Sequence, residues 1–148
     1  MATFRGLVMA GDNDITWVQT DKAPAPGGHY AQAVRAGDTL YISGQLPIPP
    51  AGGTPAGPDF DDQARLALDN LLAVLAAAGG EARHLTKVTI YIVDIANWPR
   101  FNDIYSERLA PACPARSVVP VPELHHGYRV EIDAVAYLPI APNAPIER

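Results

Sequence analysis

The sequence predicts an α+β fold: a single domain in which one mixed β-sheet carries two helices on one face. Three observations predict it. Short β-branched stretches alternate apolar and polar residues with period two, two other stretches follow helical spacing, and their order is β, ββ, α, β, α, ββ. A chain of 148 residues is the size of one domain. It can bury a core without disulfide staples.

The elements follow in chain order. Residues 1–14 show no clear pattern and read as an N-terminal extension to a domain over 15–138. "ITWVQT" (15–20) is a strand candidate. "KAPAPGG" (22–28) is a loop by its proline and glycine content. "YAQAVRAGDTLYISGQL" (30–46) reads as a hairpin turning at Ala36-Gly37-Asp38. A second loop, "PIPPAGGTPAGP" (47–58), leads to the clearest helix, over 59–80. There Asp59 can cap, Asp61 and Asp62 favour the first turn, and Phe60, Ala64, Leu68, Leu71, Leu72 and Leu75 keep helical spacing until Gly79-Gly80. "KVTIYIVDI" (87–95) is a strand, and "NWPRFNDIYSERLA" (97–110) a second helix with Asn97 as cap and Pro99 in its first turn. Two last strands lie near 115–121 and 129–138, and 139–148 is an irregular surface tail.

Composition removes several function classes. Sixteen acidic and 11 basic residues give a formal net charge of -5, and the basic residues never form a run. That argues against a broad nucleic-acid interface, which needs a basic patch to displace counterions. A small anionic ligand needs only one well-placed arginine. The single cysteine, Cys113, excludes an internal disulfide framework. No segment resembles a signal peptide or approaches the ~18 apolar residues of a membrane span. The reading is a soluble cytoplasmic protein.

In the last strand Val130, Ile132, Ala134, Ala136 and Leu138 share one face, and Glu131, Asp133, Val135 and Tyr137 the other. The second face, with Tyr91 and Val93, is apolar yet uncovered by helices. A second copy of the chain is its simplest cover, so a homo-oligomer is expected. Glu131 then lies on the oligomer face. If the strand of Arg116, Val118 and Pro120 is a near neighbour, Arg116 and Glu131 can line one pocket between subunits. The arginine fork matches a carboxylate and the acid can activate a water. A structural ion pair at a subunit interface explains the same residues, and spacing alone favours it.

Other residues give weaker signals. Ser43 lacks a GxSxG elbow, so Ser43-Gly44 reads as backbone for a ligand rather than a nucleophile. His125 and His126 are adjacent, and no HxxxH or HExxH spacing suggests a metal. Cys113 reads as inert. Tyr91 and Tyr105 read as packing residues. Tyr30 either walls a pocket or packs at a strand end.

Taken together, "KAPAPGGHYAQAV" (22–34), "LYISGQLP" (40–47), "QARLALDNLLAVLAAAG" (63–79), "KVTIYIVDIANWPRFNDIY" (87–105), "PARSVV" (114–119) and "VEIDAVA" (130–136) resemble the reactive intermediate deaminase family, the Rid or YjgF type. The Pro-Ala-Arg-Ser and Val-Glu-Ile-Asp pair is the most specific part. The resemblance implies a chorismate-mutase-like fold, a homotrimer with active sites between subunits, and no metal or organic cofactor. It implies hydrolysis of 2-aminoacrylate or 2-iminopropanoate to a 2-keto acid and ammonia. By the same resemblance Arg116 clamps the substrate carboxylate, Glu131 positions the water, Tyr30 walls the pocket, Ser43 and Gly44 line it, and Asn102 lies near it. Val118 stands where the family often has cysteine, His29 where it often has proline, and His125-His126 where it usually has Pro-Lys. These departures bear on the substrate more than on the reaction class. The alternatives are a pathway-specific hydrolase or deaminase on the same scaffold, a non-catalytic small-molecule-binding trimer, and a ribonuclease.

Overall fold

A computed structural model describes residues 7–10 and 15–139. Among the described residues seven strands form one sheet, and two α-helices cover one of its faces. The strands are β1 (Leu7–Ala10), β2 (Ile15–Gln19), β3 (Ala33–Ala36), β4 (Thr39–Gln45), β5 (Leu85–Val93), β6 (Ala115–Val121) and β7 (Val130–Tyr137). Helix α1 spans Phe60–Ala77 and α2 spans Trp98–Leu109. The sheet runs in the order β1-β2-β3-β4-β7-β5-β6, antiparallel except for the parallel pair β5–β6. The α+β reading, the two helices and six of the strands match expectation.

Strand β1 is an addition: it lies within residues 1–14, where no pattern was visible, and pairs with β2 from Leu7 to Ala10. The expected tail lies outside the described residues beyond position 139.

Helix α1 begins where Asp59 accepts a hydrogen bond from the Asp62 amide at 3.1 Å. It ends where Gly79 turns to φ +86 and the Gly80 amide reaches back to the Leu75 carbonyl at 2.9 Å. Its buried stripe, including Phe60, Ala64, Leu68, Leu71 and Leu75, packs on the sheet. Two polar residues on that helix are buried for a reason. Asn70 donates to the carbonyls of Leu46 (3.0 Å) and Ile48 (2.8 Å), and Gln63 accepts from the Arg129 amide (3.0 Å). Both tie chain that leaves or enters a strand to the helix.

Strand β5 ends at Val93, two residues before its expected end, because Asp94 adopts φ 65. The capping role also moves. Asp94 caps a short 3-10 turn through the Ala96 amide (3.0 Å), while Asn97 has helical backbone angles and donates back to the Val93 carbonyl (3.2 Å). Asn97 therefore occupies the capping position of α2 without a capping bond. Pro99 stands in the first turn as expected.

The helix-covered face holds Val88, Ile90 and Ile92 of β5, Val130, Ile132, Ala134 and Ala136 of β7, and Leu40 and Ile42 of β4, all buried. The opposite face stays open. Register puts Trp17, Val34, Tyr41 and Val135 in one row across β2, β3, β4 and β7. Trp17 is 52% exposed, Tyr41 52% and neighbouring Tyr137 53%. An aromatic row this exposed is the uncovered surface that the sequence pattern anticipates.

Candidate active site

The strands of Arg116 and Glu131 are not neighbours. β5 lies between them, pairing in parallel with β6 and antiparallel with β7. Arg116 is opposite Val88, a core residue, so its side chain projects on the helix face. Glu131 is opposite Tyr91 on the open face. Standard strand spacings separate the two backbones by about 14 Å. The condition for a shared pocket within one chain therefore fails. Among the described residues no acid forms an ion pair with Arg116.

Each of the two residues sits in its own cleft. On the helix face, the Arg116 guanidinium lies 4.8 Å from the Tyr105 ring and 5.5 Å from the Trp98 ring. It donates to Asn102 Oδ1 at 2.9 Å. Successive turns of α2 supply all three partners, since positions 98, 102 and 105 fall on one side of a helix. Cation–π contacts of this kind contribute about 0.5–2 kcal/mol each. They fix the fork while leaving its remaining donors without a carboxylate. Arg116, Asn102, Tyr105, Ser106 and Cys113 line a cleft of about 420 Å³. Tyr105 Oη is buried with no hydrogen-bond partner. Burial pushes its hydroxyl pKa up, opposed by the Arg116 charge. Val118 projects on the same side as Arg116 and packs against the core, lining neither cleft described here.

On the open face, Glu131 shares a cleft of about 500 Å³ with Tyr30, Ser43, Gly44, His125 and His126. A register shift between Ile42 and Gln45 makes Ser43-Gly44 a bulge in β4 beside β7. Gly44 leaves room for the Glu131 carboxylate: a Cβ there would push that side chain out of its place. The Ser43 hydroxyl is committed to the Ala31 carbonyl at 2.6 Å, a structural bond that leaves it no free proton for chemistry. Among the described residues Glu131 has no side-chain hydrogen bond or ion pair. Burial pushes its carboxyl pKa up, His125 pulls it down and Asp133 pushes it up again. Asp133 itself accepts from Tyr91 Oη at 3.1 Å, which assigns it a partner on the same face.

Two contributors, Trp98 and Gln32, are not singled out from the sequence, and a third, Tyr105, reads there as packing. Trp98 and Tyr105 both lie against the arginine, and Gln32 shapes the other cleft. Gln32 is buried, donates to the carbonyls of Thr20 (3.0 Å) and Pro24 (2.9 Å), and accepts from the Thr20 amide (2.7 Å). It thereby holds the loop that carries Gly27, Gly28 and Tyr30. The i, i+4 spacing of Trp98 and Asn102 before an arginine-bearing strand was the available signal for the stack. Nothing local in the sequence marks Gln32.

Fold and clefts together define a small α+β domain with a preset arginine on one face of its sheet and an unpaired carboxylate on the other. The chain belongs to the family described as Endoribonuclease L-PSP, the Rid or YjgF type, whose family model matches residues 20–138. It is 40% identical over 119 residues to 2-iminobutanoate/2-iminopropanoate deaminase of Bos taurus, covering 80% of this chain and 87% of that one. Among solved structures it resembles the Rid-family protein YyfA of Yersinia pestis, with TM-score 0.80 and 38% identity over 84% of this chain and 99% of that one. It also resembles E. coli TdcF with bound serine, with TM-score 0.76 and 34% identity over 82% and 97%. Among the described residues, no helix is long and apolar enough to cross a membrane.

Proposed function

We propose that the protein is a hydrolytic deaminase of 2-imino and enamine acids, working as a homotrimer whose sites combine Arg116 of one chain with Glu131 of the next. The observation that carries this is the placement of the two residues on opposite faces of one sheet, each in an open cleft and each without an ionic partner. A ring of identical subunits joins unlike surfaces, so each interface can bring an arginine face to a glutamate face. The exposed row of Trp17, Tyr41 and Tyr137 supplies apolar surface for such an assembly. The named bovine deaminase, 40% identical, supports the reaction class. A bound serine in TdcF, a small amino acid with a carboxylate, supports the ligand class.

In this reading Arg116 grips the substrate carboxylate with its free donors while Asn102, Trp98 and Tyr105 hold the guanidinium. Tyr30 walls the pocket, and Ser43 and Gly44 supply backbone. Val118 packs against the core and takes no part in this site. Water adds to C2 of the protonated imine: its oxygen bonds to carbon, its proton goes to Glu131, and the C=N pair moves to nitrogen. Glu131 then returns the proton to nitrogen, the C–N bond breaks, and the hydroxyl proton leaves with ammonia as ammonium. A carboxyl held above its usual range by burial suits both the taking and the returning.

Mixed assemblies test the shared site. Arg116→Ala and Glu131→Gln chains are each expected to be nearly inactive on 2-iminopropanoate. Co-refolded at equal ratio, they should recover roughly a quarter of wild-type activity, since one interface in four joins two intact residues. No recovery would show that the residues do not combine across chains. Sedimentation of wild type as a stable monomer would remove the assembly altogether.

Gly44→Ala gives a second check. Displacing the Glu131 carboxylate by a fraction of its length should lower kcat/KM by about 100-fold. The thermal unfolding midpoint should move little, because the bulge lies at the cleft rather than in the core.

A further inference from the structure

We infer that the open-face cleft takes 2-imino acids bearing a second, distal carboxylate, and that His125 and His126 read that group. The inference rests on the deaminase reading above and narrows its substrate.

The two histidines stand on the turn between β6 and β7, a 3-10 turn over His125–Gly127. The Gly127 amide bonds to the Leu124 carbonyl (3.3 Å) and the Tyr128 amide to the His125 carbonyl (3.2 Å). His126 is held at φ 61, ψ 15, in the left-handed region that a side chain with a Cβ disfavours. Backbone strain of this kind persists where the surroundings hold it in place, and it clusters at ligand clamps. Here it sets two imidazoles side by side. The ring centroids of His125 and His126 are 6.3 Å apart, and His126 meets the Tyr128 ring edge-on at 6.0 Å. Adjacent residues on an extended strand would point apart; the turn brings both rings to one cleft.

Charge gives the second argument. Apart from the two histidines, Glu131 is the one ionisable acid or base in the cleft besides the Tyr30 phenol. Among the described residues the imidazoles are therefore its only cation-forming groups. Arg116 projects from the other face of the sheet, so a site assembled from two chains would hold two separate anion-reading positions. The α-carboxylate needs one. The other is carried by two exposed residues of the same cleft, within reach of the far end of a longer substrate. An imidazole donates an N–H whether neutral or charged, which suits it to a carboxylate oxygen. The cleft walls also include Pro24, Ala25, Leu46 and Ile48, apolar surface suited to a short methylene chain. The volume of about 500 Å³ lies within the range of pockets for ligands much larger than a three-carbon acid.

A matched pair of substrates tests this. 2-Iminoglutarate and 2-iminopentanoate, formed in situ from L-glutamate and L-norvaline by amino-acid oxidases, have the same chain length and differ in the distal carboxylate. Wild type should prefer 2-iminoglutarate by about tenfold or more in kcat/KM. In the His125→Ala/His126→Ala double variant that ratio should fall towards one. A wild-type ratio at or below one, or a ratio unchanged by the double substitution, overturns the inference. If wild type turns over neither imine, the deaminase reading fails, and calorimetric affinities for 2-oxoglutarate and 2-oxopentanoate decide this one. Tighter, histidine-dependent binding of 2-oxoglutarate sustains it, and equal affinities overturn it.

Discussion

Replacing Arg116 with alanine will lower kcat/KM on 2-iminopropanoate by about two orders of magnitude or more. Truncating one member of a desolvated, hydrogen-bonded charge pair costs about 2–5 kcal/mol, and each 1.36 kcal/mol is about tenfold in rate. The loss should appear mainly in KM, with a smaller fall in kcat from misorientation. Arg116→Lys is the sharper probe. It keeps the charge but has no planar fork to stack against Trp98 and Tyr105 or to grip a carboxylate bidentately. It should recover only a small part of the lost activity. Full activity in the alanine variant, assayed by ammonia release, would remove Arg116 from the site.

Glu131→Gln is expected to lower kcat by about 100-fold to 10,000-fold, the usual contribution of a positioned acid or base. It also predicts a pH profile. The working form must first accept a proton, so wild-type kcat/KM should fall as pH drops through a pKa raised above the ordinary carboxylate value. Stability should move the other way. The folded protein holds the Glu131 proton more tightly than the unfolded chain does. Unfolding therefore becomes easier as pH rises from the unfolded pKa to the raised folded one, and the cost persists above it. The glutamine variant removes that cost and should melt higher than wild type near neutral pH. A variant that is both inactive and less stable than wild type would argue that Glu131 is a structural carboxylate.

Much of this arrangement was legible in the sequence because local rules decide it. The Asp59 cap, the apolar stripe of α1 and the Gly79-Gly80 stop all act within a few residues of one another. Period two placed Glu131 on the face away from the helices, and register agrees. The pairing of strands is a long-range property and was not legible in the same way. Consecutive strands are neighbours about two-thirds of the time, but β6 and β7 are not. The signal against it was present: a strand, a helix and a strand in succession over 85–121 form a parallel crossover unit, which puts β6 beside β5. The face of Arg116 followed from that missed pairing. The Family resemblance pointed to both residues without the topology, yet only the fold shows them back to back. Strand β1 escaped notice because four residues are too few to establish a period.

Strand β6 closes one end of the sheet, with its outer backbone groups free to accept another strand. A long flat strand in that position invites chains to add indefinitely, as in amyloid. Here the strand is seven residues long and carries Pro120, which brings no N–H to any new partner. Growth by backbone pairing is thus discouraged at the margin, while the broad apolar face remains sticky. Of the two surfaces, the edge is therefore the poorer template for a fibre.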